Sequence, residues 1–248
     1  MRILVAIPVY NEEKYVDSVL KRVLEYATDV LVIDDGSTDP TPCMLPKHRV
    51  EVIRHAVNRG YGRSLGDAFR WACAFEYDWV ITMDCDEQHE PAAIPRFIEA
   101  IRSDRWDVVS GSRYLRNDHH GDSPPEDRRA INRELTAEIN RRLGLSITDA
   151  FCGFKAHRTR AIRRLDLTEK GYAFPMQFWV QSVAAGLRIT EIPVRLIYND
   201  PSRAFGGPLD NPASRLAHYR RALHGALERC ADRLPAKALA DVAAGCCG

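Results

Sequence analysis

The chain has 248 residues, 45% of them hydrophobic and 28% charged, which is enough for one large α/β domain or two small ones around a buried core. The formal net charge of +1 excludes the strongly basic balance typical of nucleic-acid-binding proteins, so we expect no nucleic-acid partner. No two of the 7 cysteines form a C-x-x-C pair, so the sequence indicates neither a disulfide framework nor a zinc site and favours a reducing, cytoplasmic setting.

The first residues of the sequence do not predict a secretory signal. Met1 and Arg2 lead directly into a strand-like apolar run, which is too short for the hydrophobic region of a secretory signal. No segment has the uninterrupted apolar length of a membrane span. We therefore expect a cytoplasmic protein whose membrane contact, at the inner face of the cytoplasmic membrane, is peripheral.

Short apolar runs alternate with helical patterns through the first half of the chain. Five runs are typical of β-strands: residues 3–9, 30–33, 50–53, 79–83 and 108–109. Apolar residues recur at helical spacing between several of them, first between Val16 and Leu24. This alternation predicts a mostly parallel, Rossmann-like sheet with helices on both faces.

The second half of the chain contains longer helical patterns and two polar loops. Helices are predicted over residues 128–143, 174–185 and 213–234, a strand over residues 187–198, and loops over residues 116–127 and 199–212. We therefore expect one compact α/β domain over residues 1–212, a C-terminal amphipathic helix over residues 213–234 and a flexible tail over residues 235–248.

Four polar clusters directly follow predicted strands, where ligands bind in sheets of this kind. They begin at Pro8, Asp34, Asp84 and Gly111. In the first cluster, Asn11 is in a position to cap the next helix.

The third cluster contains two carboxylates, Asp84 and Asp86, separated by one residue. Side chains alternate with a period of two along a strand, so both carboxylates point roughly the same way and can reach one hard cation. Mg²⁺ or Mn²⁺ is the natural occupant, because such an ion keeps open positions for a substrate diphosphate and offsets the charge on a departing one. An ordinary acidic turn is the alternative, but the position after a buried strand favours the metal site.

A glycine-rich segment between Gly60 and Gly66 resembles a phosphate-binding loop only superficially. It misses the G-x-G-x-x-G spacing at the last glycine and has no G-K-[ST] sequence, so it predicts neither a dinucleotide site nor a P-loop. We expect a tight turn into a helix that begins near Arg63.

Five motifs occur in the order found in family 2 glycosyltransferases of the GT-A fold. They are IPVYNEE at residues 7–13, VIDDGSTD at 32–39, NRGYG at 58–62, MDCD at 83–86 and SGSRY at 110–114. FCGFKA at residues 151–156, following Asp149, is similar to the D-x-x-[SC]-G-F-[RK] segment of the polyprenyl-phosphate sugar synthases, the dolichol-phosphate mannosyltransferase-like group. The resemblance covers residues 3–198 and implies a GT-A fold.

The resemblance also implies roles for residues of the motifs. The nucleotide would be bound by Pro8, Tyr10, Glu12, Asp35 and Asp84. Asp34 would be either a further ligand or a support at the strand end. The metal and the diphosphate would be held by Asp84, Asp86 and Gln88. An acceptor phosphate would be bound by Arg113, Arg128 or Arg129, and Asn132, which stands where the family has Ser. Asp149 lies where the family places a carboxylate near the reaction centre, and it would be the base for a hydroxyl acceptor.

The resemblance therefore predicts an inverting transfer of a hexose from a nucleoside-diphosphate sugar, GDP-mannose or UDP-glucose, to a polyprenyl phosphate. One alternative is transfer to a soluble hydroxyl acceptor such as a sugar or glycerate derivative. Another is a sugar-phosphate nucleotidyltransferase, which would be expected to carry a Gly-rich, basic loop where this chain has residues 8–13. A third is a binding module without catalytic activity, in which the acidic pairs would be structural.

Overall fold

The computed structural model describes residues 1–115, 122, 124–198 and 205–242. Its strands are β1 (Ile3–Val9), β2 (Val30–Asp34), β3 (Glu51–Arg54), β4 (Trp79–Thr82), β5 (Val108–Ser112), β6 (Lys155–Arg158) and β7 (Ile189–Pro193). Its α-helices are α1 (Val16–Val23), α2 (Thr41–Met44), α3 (Tyr61–Ala74), α4 (Ile94–Arg102), α5 (Glu126–Leu143), α6 (Thr159–Ile162), α7 (Phe174–Ala184) and α8 (Pro212–Arg229).

Among the described residues the strands form one 7-stranded sheet in the order β3-β2-β1-β4-β6-β5-β7. Every pair is parallel except the two that β6 makes with β4 and β5. The predicted mostly parallel sheet is therefore confirmed. Because β6 is inserted between β4 and β5, those two strands run the same way and their carboxyl ends meet at one edge.

Alternate residues of the central strands pack into two separate hydrophobic cores. Leu4 and Ala6 of β1 pack with α3 and the helices of the second half, whereas Val5 and Ile7 pack with α1 and α4. Helices therefore cover both faces of the sheet, as the alternation of strands and helices predicts.

Several predicted boundaries are wrong. The predicted strand over residues 187–198 is limited to β7, whose last residue, Pro193, cannot donate to the ladder. Asn11 does not cap α1, which begins at Val16; with φ at 55°, its side chain instead accepts a hydrogen bond from the Thr38 N–H, at 2.8 Å. Helix α3 begins at Tyr61, two residues before the predicted position.

The predicted C-terminal helix is not a separate unit. Its apolar side, with Tyr219, Leu223 and Leu227 at most 3% exposed, packs in the core with α5 and α7, so this side is not available as a membrane-binding surface. Part of the predicted flexible tail is also packed, because Ala238 is fully buried and its carbonyl accepts a hydrogen bond from Arg142 at 3.1 Å. No helix in the described ranges is both long and apolar enough to span a bilayer.

Candidate active site

A cavity of about 490 Å³ opens at the edge of the sheet where β1, β4 and β5 end. Most of the predicted site residues line it: Pro8, Tyr10, Glu12, Asp35, Asp84, Asp86, Gln88, Arg113, Arg128 and Asn132. Asp34, Arg129 and Asp149 are described but do not line this cavity. Parallel strands thus bring together motifs that lie more than a hundred residues apart in sequence.

Asp35 is fixed at the end of β2 by an array of donors. Its carboxylate accepts hydrogen bonds from the backbone N–H groups of Arg59 and Gly60, each at 2.8 Å, and lies 2.6 Å from His55 Nδ1. The other ring nitrogen of His55 lies 3.0 Å from Asp67. The sequence did not indicate the roles of His55, which orients Asp35, and of Asp67, which orients His55.

Asp34 does not line the cavity. It is fully buried, accepts a hydrogen bond from the Ser37 N–H at 2.9 Å and has an oxygen 3.1 Å from Arg54 Nε. This geometry fits a support for the turn after β2 and does not fit direct contact with a nucleotide.

Asp84 makes two hydrogen bonds and is closely approached by Gly153. The Tyr61 hydroxyl donates to its Oδ1 at 3.0 Å, and its backbone N–H donates to His89 Nδ1 at 2.9 Å. A Cβ added at Gly153 would lie 2.4 Å from Asp84 Oδ2 and 2.9 Å from the Tyr61 hydroxyl. The glycine of the FCGFKA segment is therefore required for the close approach of that segment to Asp84.

The donor set at Asp84, Asp86 and Gln88 fits Mg²⁺ or Mn²⁺. These side chains line one part of the cavity, and the Gln88 N–H donates to Asp86 Oδ1 at 3.1 Å, which fixes the turn between them. Among the described residues, no three His, Cys, Asp or Glu side chains converge on one point. Oxygen ligands from two carboxylates suit an ion that takes its other ligands from water and substrate phosphates.

Arg113, which lines the cavity, forms a bidentate ion pair with the fully buried Asp149. Arg113 Nε lies 2.6 Å from Asp149 Oδ2, Nη2 lies 2.9 Å from Oδ1, and the Asn132 amide also donates to Oδ1 at 2.9 Å. Burial by itself would raise the pKa of Asp149, but the charge and hydrogen bonds of Arg113 and Asn132 outweigh it and hold this pKa well below its ordinary value. A fully buried carboxylate with these partners fits a residue that orients Arg113, and it does not fit the predicted general base.

A cluster of aromatic and arginine side chains forms the mouth of the cavity. The guanidinium of Arg128 lies 4.9 Å from the ring centre of Phe205, and that of Arg215 lies 4.8 Å from the same centre. Arg215 is 3% exposed and donates to Asp127 at 2.5 Å, which joins α8 to α5. Sequence reasoning missed Arg215 because it treated α8 as a separate amphipathic helix.

Histidines without metal-ligand spacing are expected to be solvated, but His157 is buried in β6, where burial first, and then the Lys155 ammonium, lower its pKa to about 3. His119 and His120, for which the expectation is the same, and Arg203 of the loop predicted over residues 199–212 fall outside the described residues.

Comparisons with known proteins identify the family of the chain. The family model for glycosyl transferase family 2 matches residues 4–166. The chain is 32% identical over 219 residues to the undecaprenyl-phosphate mannosyltransferase of Micrococcus luteus, covering 84% of this chain and 89% of that protein. It is 28% identical to the polyprenol monophosphomannose synthase of Mycolicibacterium smegmatis, with 78% and 76% covered.

A solved structure supports the fold independently. Glucosyl-3-phosphoglycerate synthase from Mycobacterium tuberculosis, in complex with Mn²⁺, uridine diphosphate and glucosyl-3-phosphoglycerate, superposes with a TM-score of 0.68 at 22% identity, covering 94% of this chain and 81% of that one. This similarity confirms the predicted GT-A fold. The family match over more than half of the chain and the identity to the Micrococcus relative show that the protein belongs to glycosyl transferase family 2.

Proposed function

We propose that the protein transfers a hexose from a nucleoside-diphosphate sugar, GDP-mannose or UDP-glucose, to the phosphate of a polyprenyl phosphate. The observation that carries this proposal is that one cavity is lined by both the Asp84–Asp86 carboxylates and the guanidinium of Arg113. The carboxylates suit a metal-bound diphosphate, and a guanidinium fork suits a second phosphate. The names of the relatives from Micrococcus and Mycolicibacterium support a polyprenyl acceptor.

The donor half of the site would be built around Asp35, Asp84 and Asp86. Asp35, already oriented by His55, would accept hydrogen bonds from the nucleoside together with Pro8, Tyr10 and Glu12. Asp84, Asp86 and Gln88 would hold Mg²⁺ or Mn²⁺, which offsets the negative charge on the departing nucleoside diphosphate. The Tyr61 hydroxyl donates to Asp84 Oδ1 and so restricts the orientation of this carboxylate.

The acceptor half would use Arg113, with Arg128 and Asn132 beside it. One oxygen of the acceptor phosphate attacks the anomeric carbon as the bond from that carbon to the diphosphate oxygen breaks, and its electron pair leaves with the diphosphate. A phosphate is already ionised at neutral pH, so the attack requires no general base. This agrees with Asp149, whose two oxygens are both used by Arg113 and Asn132.

Transfer to a soluble hydroxyl acceptor is the second candidate, because the structural neighbour from Mycobacterium is a glucosyl-3-phosphoglycerate synthase. That reaction would require a base other than Asp149 in its present pairing. A nucleotidyltransferase or a binding module without catalytic activity has no support from the family match. For the polyprenyl acceptor, the protein would work in the cytoplasm with peripheral contact to the membrane.

A matrix of donors and acceptors tests the proposal. Release of nucleoside diphosphate would be measured for GDP-mannose and UDP-glucose, each with a polyprenyl phosphate, with 3-phosphoglycerate or without an acceptor, in Mg²⁺ or Mn²⁺. We expect release that depends on the polyprenyl phosphate. Release that depends only on 3-phosphoglycerate would contradict the proposed acceptor and support the second candidate.

A further inference from the structure

Lys155 lies in the sheet between the two halves of the proposed site. It is the first residue of β6, and its register partners are Thr82 in β4 and Ser110 in β5. Asp84 follows Thr82 by two residues, and Arg113 follows Ser110 by three. The antiparallel insertion of β6 therefore places a lysine between the strand that leads to the metal-binding carboxylates and the strand that leads to Arg113.

The ammonium of Lys155 is buried, and its neighbours balance its charge only in part. The residue is 6% exposed, yet it lines the cavity; Nζ donates to the Cys152 carbonyl and lies 5.4 Å from the ring centre of Trp179. The Trp179 ring is itself fixed, because Nε1 donates to the Ala150 carbonyl at 2.9 Å. Within the described residues, Asp84 and Asp149 act on Lys155 only at longer range, and neither forms an ion pair with it.

A buried ammonium is costly unless an anion accompanies it. The carboxylate of Asp149 already balances the charge of Arg113 through two hydrogen bonds. A doubly charged phosphate that binds beside Arg113 therefore requires further positive charge. Lys155 lines the same cavity, and a lysine ammonium carries a positive charge and up to three hydrogen-bond donors on a flexible stem.

We propose that Lys155 completes, together with Arg113, a binding site for the phosphate monoester of the acceptor. The inference rests on the proposed function in one respect, that the acceptor carries a phosphate. The same chemistry fits a polyprenyl phosphate, whose phosphate oxygen attacks the sugar, and a phosphorylated soluble acceptor, whose phosphate anchors it while a hydroxyl attacks. Lys155 is assigned to the acceptor side, so donor binding does not depend on it.

The test compares Lys155→Met, which removes the charge at similar length, with Lys155→Arg, which keeps a charge, and with Lys21→Met, the same change on an exposed lysine of α1. Inorganic phosphate would be titrated by calorimetry into each protein saturated with Mn²⁺ and with UDP or GDP. We expect Lys155→Met to weaken phosphate binding at least about tenfold and Lys155→Arg to recover most of it. Binding of the nucleotide with Mn²⁺ stays within about twofold in all three variants.

Unchanged phosphate affinity in a folded Lys155→Met protein would overturn the proposal. A loss of nucleotide affinity as large as the loss of phosphate affinity would also overturn it, because Lys155 would then lie on the donor side. If Lys155→Met does not fold, a structure of the unmodified protein with UDP, Mn²⁺ and inorganic phosphate decides. A phosphate oxygen within about 3.2 Å of Nζ supports the proposal, and a bound phosphate that does not contact Nζ contradicts it.

The acceptor source is tested separately with short-chain polyprenyl phosphate and with 3-phosphoglycerate. If the protein uses only 3-phosphoglycerate, the proposed function fails. The role of Lys155 is still supported in that case if the KM for 3-phosphoglycerate rises in Lys155→Met and recovers in Lys155→Arg. If both variants keep the original KM for the acceptor used, the role of Lys155 fails whichever acceptor that is.

Discussion

The guanidinium of Arg113 and the carboxylate of Asp149 meet through two parallel hydrogen bonds, of 2.6 Å and 2.9 Å, beside the part of the cavity that we propose binds the acceptor. Asp149→Asn would leave the Arg113 charge without its counter-ion in a largely buried position. We expect a loss of about 3–5 kcal/mol in the free energy of unfolding, measured in urea at neutral pH. The control is Glu134→Gln, which breaks an exposed ion pair with Arg220 and is expected to cost at most about 1 kcal/mol. Equal losses in both variants would show that Arg113 does not depend on Asp149.

The same pair predicts how stability depends on pH. The folded-state pKa of Asp149 is lowered below its ordinary value, so its contribution is present above the unfolded-state pKa and is lost as the pH falls through the folded-state pKa. The difference in unfolding free energy between the unmodified protein and Asp149→Asn should therefore be largest near neutral pH and should shrink in acid. Urea unfolding at several pH values measures it. A difference that grows in acid would contradict the lowered pKa.

Gly153→Ala should disturb Asp84 while the fold remains. The added methyl group would lie 2.4 Å from Asp84 Oδ2, so the carboxylate or the FCGFKA segment must move. Because a displacement of about 1 Å near the reacting groups can cost about a hundredfold in rate, we expect a loss of that order in kcat/KM. Gly225→Ala on α8, where the nearest atom is a flexible arginine nitrogen at 3.5 Å, is the matched control. Full activity in Gly153→Ala would mean that the position of Asp84 is not critical.

Asp86→Asn should abolish the dependence of nucleotide binding on metal. The change removes one of the two carboxylates that would hold the ion but keeps the size of the side chain. Calorimetric titration of UDP and GDP, with and without Mn²⁺, measures the effect. Glu87→Gln is the neighbouring control, because Glu87 accepts a hydrogen bond from Ser18 at 2.8 Å and is not part of the proposed metal site. If Asp86→Asn keeps the metal-linked affinity of the unmodified protein, the assignment of the metal site is wrong.

Leu223→Ala should destabilise the protein and should not act through a membrane. Leu223 is fully buried on α8, so its truncation is expected to cost about 2–5 kcal/mol in unfolding free energy, whereas Arg221→Ala on the exposed side should change little. Flotation with anionic liposomes, compared for the folded proteins, should be the same in both variants. If Leu223→Ala kept its stability but floated less with the liposomes, the apolar side of α8 would bind membranes after all.

The parts of the fold that follow from local pattern were predictable. β1, β2 and β4 are apolar runs, and the polar clusters that follow them lie at one edge because parallel strands end there. β6 could not be recognised in the same way, since Lys155, His157 and Arg158 give it a polar sequence although all are buried. Its burial depends on partners in β4 and β5, which only the folded chain brings together.

The motifs select most of the polar residues that line the cavity, but the contacts between these residues were less predictable. The resemblance predicts that Asp149 lies near the reaction centre, but nothing in the sequence indicates that Arg113 and Asn132 use both of its oxygens. His55 lies just outside the motifs that the resemblance identifies, three residues before the NRGYG segment, although its Nδ1 lies 2.6 Å from Asp35. Arg215 reaches the cavity from a helix whose periodicity predicts only an amphipathic surface.

The most direct test of the account is the mass of the product that the protein makes from a nucleoside-diphosphate hexose and a polyprenyl phosphate. The reaction would contain GDP-mannose or UDP-glucose with Mn²⁺, and the organic phase would be analysed by mass spectrometry against a sample with the metal chelated. We predict a polyprenyl phosphate heavier by one hexose residue, formed with at least one of these donors and only in the presence of metal. An unmodified polyprenyl phosphate with both donors, from a folded protein that transfers hexose to a soluble hydroxyl acceptor, would contradict it.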